Sequence, residues 1–175
     1  QKSAEFDIGC GIKLSLELIE KLDYVVRGLH HFKNKKSDKF INFNDPKATV
    51  TDLDYFREWT LDQFAKTIEN ETVDIIAHPT LLPVCLRNSK KEVFTDEWKS
   101  DLIKLAAMHE VALEINNRFQ VPDKEFVTEC LKYGVNISLG SSGIKKEEVG
   151  VLDYPLSLVK SLEIPEFLIF PNNNI

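Results

Sequence analysis

Four histidines and a scatter of carboxylates are the residues with most chemistry to offer in this sequence. His30 and His31 follow one apolar run, His78 follows another, and Glu5 and Asp7 sit within a third. Asn116 and Asn117 close a fourth run, and Ser141 and Ser142 a fifth. If these runs are strands of one parallel sheet, their ends share a rim, which is where such sheets bind ligands. Two imidazoles and a carboxylate on that rim would suit a divalent ion such as zinc, manganese or iron. A histidine at a strand end can equally be a hydrogen-bonded turn residue, and no H-E-x-x-H or similar local motif separates the two readings. His31 would point away from His30 if both were extended, so at most one of them aims at the rim. His109 falls on an inward helical stripe near a helix C-terminus, where the dipole favours a structural role.

Other catalytic patterns are absent. There is no G-x-S-x-G elbow, no P-loop and no G-x-G-x-x-G fingerprint. The run Leu139-Gly140-Ser141-Ser142-Gly143 follows a strand and could hold an anion on its N–H groups, or form a plain turn. Cys10, Cys85 and Cys130 lack C-x-x-C spacing, which suits unpaired thiols in a reducing, cytoplasmic setting. Cys130 shares a stripe with Phe126, Val127 and Leu131 and reads as core.

The elements that must position these residues alternate along the chain. Strands are predicted at Glu5–Ile8, Tyr24–Leu29, Val73–Ala77, Val111–Ile115 and Asn136–Leu139. Each is short and apolar without polar alternation, as in sheets buried on both faces. Helices are predicted over Leu14–Leu22, Asp52–Glu69 capped by Thr51, and Asp96–His109 capped by Thr95. Another runs from Pro122 to Tyr133 with Gly134 as its left-handed stop, and a last one covers Tyr154–Leu162. The order β-α-β-α predicts right-handed parallel crossovers, hence an α/β barrel or doubly wound sheet. Residues 33–47, rich in lysine with the turn signals Asn44, Asp45 and Pro46, read as a loop over the active face. Residues 171–175 read as a frayed tail.

The 175 residues suit one domain; with 22 Lys plus Arg against 28 Asp plus Glu, the net charge is −6. That balance argues against bulk nucleic-acid binding, and no run of apolar residues is long enough to span a membrane. Gln1 is not an initiator Met and Met108 is the one methionine, so the chain is expected to have been processed or cut.

Taken in order, these residues resemble the sequence blocks of the PHP (polymerase and histidinol phosphatase) superfamily. Ala4-Glu5-Phe6-Asp7-Ile8 and Leu22-Asp23-Tyr24-Val25-Val26-Arg27-Gly28-Leu29-His30 are similar to two of them, and Asp74-Ile75-Ile76-Ala77-His78-Pro79 to the next. Ala112-Leu113-Glu114-Ile115-Asn116, Tyr133-Gly134-Val135-Asn136-Ile137-Ser138-Leu139-Gly140-Ser141 and Glu147-Glu148-Val149-Gly150 continue the series. The resemblance implies a distorted (βα)7 barrel, five of its seven units being present, and metal-dependent hydrolysis of phosphate esters. It implies Glu5, His30 and His78 as ligands of a divalent metal. Where the family has two further ligands, an Asp and a His, this chain has Ser142 and Ile144, and the family's His-x-His strand has no counterpart. A hydroxyl serves a metal far less well than a carboxylate, and an isoleucine not at all. The expectation is therefore an impaired phosphoesterase acting on a small phosphorylated substrate, or a catalytically degenerate binding module. Arg118, with Asn116 beside it, is the candidate for the phosphate. Arg27 is expected to face a helix or an acid, and Lys35, Lys36 and Lys39 to be solvated or to draw an anion in. A missing N-terminal segment or a second copy would complete the barrel.

Overall fold

The computed structural model describes residues 3–8, 15–35, 37–70 and 72–171, the side chains of residues 3–5 and 16 excepted. In chain order the elements are β1 (Ser3–Asp7), α1 (Leu16–Ile19), β2 (Tyr24–Gly28), β3 (His31–Lys33), β4 (Phe40–Asn42) and α2 (Leu53–Asn70). Then come β5 (Ile75–Ala77), α3 (Lys90–Val93), α4 (Asp96–Met108), β6 (Ala112–Asn116), α5 (Lys124–Lys132), β7 (Ile137–Gly140), α6 (Asp153–Leu162) and β8 (Ile169–Phe170). Six strands form one sheet in the order β1-β2-β5-β6-β7-β8, every pairing parallel. All five residues of β6 are buried, as expected of a central parallel strand covered on both faces. The sheet is curled. β2 and β8 are four strand positions apart, about 19 Å in a flat sheet, yet the rings of Tyr24 and Phe170 meet edge-on at 6.0 Å.

Helix starts follow local chemistry. The Thr95 side chain caps α4 by accepting from the Trp98 N–H, and Asp123 caps α5 by accepting from the Phe126 N–H. Gly134 takes φ +68° just after α5, the left-handed stop its type allows. The stripe of α2 buries Phe56, Thr60, Phe64 and Ile68 at the predicted spacing. Phe64 and Phe94 pack on Trp98, with ring centroids 6.2 and 4.6 Å away, and the indole N–H donates to the Arg57 carbonyl at 3.2 Å. Cys130 is buried as predicted, and burial pushes its thiol pKa far up; Cys85 is exposed, and Cys10 lies outside the described residues.

Several expectations are corrected. Among the described residues the sheet has six strands rather than the predicted five, because β8 is two residues long and too short to carry a pattern. Residues 33–47 are not a simple loop: β3 and β4 pair as an antiparallel hairpin, Phe32 opposite Ile41. The cap of α2 is Asp52, whose carboxylate accepts from the Tyr55 N–H at 3.0 Å, rather than Thr51. Helix α5 starts after Pro122, because Asp123 supplies its cap. The first helix is described only over Leu16–Ile19. His109 is exposed at the C-cap of α4, since the buried stripe runs through Trp98, Leu102, Ile103 and Ala106 instead. Of the predicted tail, residues 172–175 lie outside the description. Among the described residues no helix is long and apolar enough to cross a membrane.

Two measurements check this reading. Leu102 is fully buried between helices, so Leu102→Ala should lower the unfolding free energy by about 3 kcal/mol in a urea titration. Burial raises the Asp123 carboxyl, but the Lys90 ammonium and the Phe126 N–H outweigh it and hold the pKa below the ordinary 3.8. A carboxylate depressed in the folded state stabilises above its unfolded pKa, and that contribution is lost as pH falls through the folded value. Asp123→Ala should therefore cost about 1 kcal/mol at neutral pH and flatten the loss of stability below pH 3.8.

Candidate active site

The parallel register brings the strand ends to one level. Asp7 lies opposite Gly28, Gly28 opposite Ala77, and Asn116 opposite Gly140. One residue past β5 comes His78, two past β2 comes His30, and two past β7 comes Ser142. The rings of His30 and His78 stand edge to face, centroids 4.7 Å apart, and the Phe119 ring packs edge-on against His78 at 5.4 Å. His78 is buried and holds φ +34°, a left-handed conformation rare for a residue with a Cβ. Its N–H donates to Glu114 Oε2 at 2.9 Å, so the carboxylate pins the turn.

Glu114 organises the rest of this rim. The same Oε2 accepts from Asn116 Nδ2 at 2.9 Å, and that amide also donates to Ser142 Oγ at 2.6 Å. Asn116 Oδ1 accepts from the Phe119 N–H at 3.1 Å. A side-chain carbon on residue 140 would come within 1.6 Å of Glu114 Oε1, so Gly140 is what makes room for the carboxylate. Ser142 takes φ +45° at the end of this network.

On the β1–β2 side, Asp7 Oδ2 lies 2.6 Å from His31 Nδ1 and 3.6 Å from His30 Nδ1. Both histidines thus reach Asp7, because β2 ends at Gly28 and His31 opens a separate strand, β3. Asn42 Oδ1 accepts from the Asn44 N–H at 2.8 Å, which turns its NH2 toward His31 Nε2 at 3.0 Å. His31 Nε2 is therefore the acceptor and Nδ1–H donates to Asp7. Burial raises the Asp7 carboxyl, but the two imidazoles outweigh it and leave the pKa below its ordinary value.

In front of the rim lies a cleft of about 730 Å³, within the roughly 300–1,000 Å³ of small-molecule sites. His30, Thr80, Arg87, Lys90, Arg118 and Ser142 are among the residues that border it, and none of its described lining residues is a carboxylate. Two acids stand behind the cations: Asp123 lies 2.8 Å from the Lys90 ammonium and Glu148 3.5 Å from the Arg118 guanidinium. Glu148 is itself held by the N–H groups of Ile144 and Lys145, which keep its pKa low.

Among the residues singled out from sequence, the structure brings together His30, His78, Arg118 and Ser142. The Glu5 backbone pairs in β1 opposite Val26, but its side chain lies outside the described residues. Asn116 is fully buried and spent on three hydrogen bonds, so it shapes the rim from behind rather than lining the cleft. Ile144 is 76% exposed on the cleft's edge. Arg27 is buried in β2 with its guanidinium over the Phe6 ring at 5.8 Å. Lys35 lies over the Tyr55 ring, Lys39 is exposed, and Lys36 lies outside the description. Sequence reasoning missed Thr80, Arg87 and Lys90, which sit in a non-periodic stretch with no motif. Two cations shortly after the His78 strand were the available signal. Among the described residues no three His, Cys, Asp or Glu side chains surround a point that would hold a metal. Asp7 is turned to His31, and Glu114 to the His78 N–H and Asn116, so the described donors do not form a metal cage.

Comparison with known proteins adds three likenesses. Two curated proteins, each named "Probable phosphatase", match 165 residues: one from Caldicellulosiruptor saccharolyticus at 29% identity and one from Caldicellulosiruptor bescii at 28%. Each alignment covers 90% of this chain and 57% of the relative, so the chain spans little more than half the length of the curated relatives it matches. No protein-family model matches the chain. Among solved structures, a histidinol phosphate phosphatase from Lactococcus lactis subsp. lactis, complexed with zinc, L-histidinol and phosphate, superposes with a TM-score of 0.55 at 16% identity. That superposition covers 87% of this chain and 65% of the other. The chain is thus a mixed α/β protein, its main sheet parallel, with a fold similar to that of a histidinol phosphatase.

Proposed function

We propose that this chain is a PHP-type phosphoesterase that receives a small phosphorylated substrate in the cleft and turns it over slowly. The observation that carries the reading is the lining of the cleft. In a chain of net charge −6, the strand-end cleft is bordered by Arg87, Lys90 and Arg118 and by no described carboxylate. Such a lining attracts a dianion, and guanidinium groups match phosphate oxygens two at a time. Arg118 would hold the reacting phosphate beside Ser142, at the wall that His30 also borders. The names of the curated relatives support phosphatase chemistry, and the zinc and phosphate complexed with the Lactococcus protein support a divalent metal.

Glu5, His30 and His78 are the residues we assign to a divalent ion (zinc, manganese or iron). The described donors do not close around one, and Ser142 and Ile144 stand where a carboxylate and an imidazole would add to them. The assignment is accordingly one of weak metal binding and low turnover. A second reading, a phosphate-binding module without catalysis, draws on the same engagement of Asp7 and Glu114 with protein partners.

Calorimetric titration and turnover of a generic phosphomonoester with zinc, manganese or ferrous ion test the proposal. Inorganic phosphate should bind, Arg118→Ala should weaken it about tenfold, and turnover should be low with each metal. Ser142→Asp combined with Ile144→His should tighten metal binding by about tenfold or more. One tightly held ion per chain with robust turnover in the unaltered protein would overturn the claim of impairment, and failure of phosphate to bind would overturn the reading altogether.

A further inference from the structure

The cations of the cleft arrive on two different segments. Arg118 follows β6, whereas Arg87 and Lys90 lie on the segment between β5 and α4, together with Thr80. Their surroundings differ as well. Arg118 shares its charge with Glu148 and Lys90 with Asp123, but no described carboxylate lies within ion-pair distance of Arg87. Thr80 borders the same cleft and is only 3% exposed, and its hydroxyl has no hydrogen-bond partner. A buried hydroxyl left without a partner is costly, and native proteins rarely keep one without a reason. A turn of the Thr80 side chain about χ1 would exchange its methyl and hydroxyl and bring the buried oxygen to the cleft. There an oxygen of a bound anion would accept its proton and the Arg87 guanidinium would supply the countercharge.

We propose that Thr80 and Arg87 form a second anion seat, so that the preferred substrate is a phosphate ester carrying a further anionic group. This rests on the reading of the cleft as a phosphate-ester site, with Arg118 serving the reacting phosphate. The volume suits it: about 730 Å³ is far more space than one phosphate group occupies. The lining suits it too, because Arg118 and Lys90 each have an acidic partner while Arg87 has none among the described residues, which leaves its charge for a further anionic group.

The test compares inorganic phosphate, a hexose monophosphate and a hexose bisphosphate by calorimetry and by the rise in melting temperature they cause. The bisphosphate should bind at least tenfold more tightly than the monophosphate, and Arg87→Ala should erase most of that preference. Thr80→Val keeps the shape and removes the orphan hydroxyl, so the ligand-free variant should melt no lower than the parent while its bisphosphate preference falls severalfold. A Thr80→Val protein that melts lower and keeps the preference would mean that the hydroxyl serves the fold, and would overturn the seat. If the monophosphate binds and the bisphosphate gains nothing, the second seat is wrong and the phosphate-ester reading stands. If neither ester binds, both fall.

Discussion

One carboxylate holds the far half of the rim in place. Glu114 is 8% exposed, and a buried charge is tolerated only where it is fully hydrogen-bonded. Its Oε2 accepts the His78 N–H from β5's end and the Asn116 amide from its own strand. Through Asn116 the restraint extends to Ser142 beyond β7 and to Phe119, which packs on the His78 ring. Gly140 is the other side of this constraint, since any larger residue would collide with the carboxylate. The unusual backbone of His78 and of Ser142 persists because this network over-determines both turns.

The electrostatics of the molecule separate along the same line. The surface carries an acidic excess, whereas the cleft gathers positive side chains at its wall. Asp123 and Glu148 stand behind Lys90 and Arg118, where each fixes a long, flexible side chain without entering the cleft. Asp123 does this while capping α5, so one residue links the start of a helix to the position of a cation. Arrangements of this kind lower the ordering cost of receiving an anion.

Much of the fold was legible because its elements are written in local chemistry. The five predicted strands are short stretches rich in Val, Ile, Leu or Phe, and the α2 stripe repeats at helical spacing. Thr95 and Gly134 mark a start and a stop that follow from side-chain oxygens and permissive backbone. What escaped was set by contacts distant in sequence. β8 exists because β7 offers it an edge, and the β3–β4 hairpin closes over a buried Phe32 packed on Tyr55, Phe56 and Trp59. Of His30 and His31, His30 borders the cleft and His31 does not, as alternation allowed, while both reach Asp7 because β2 ends before them and His31 opens β3.

For the candidate site, the sequence alone determined which residue types end each strand: His30, His78, Asn116 and Ser142, in the order of the parallel units. Parallel crossovers deliver strand ends to one rim whatever the details of packing, so that much follows from pattern. Only the tertiary structure decided which of them line the cleft and which stand behind it. Asn116 turned inward to Glu114, His31 turned to Asp7, and Thr80, Arg87 and Lys90 came in from a stretch with no period or motif. Those outcomes depend on hydrogen bonds between residues as far apart as His78 and Glu114, and no local spacing encodes such a partnership.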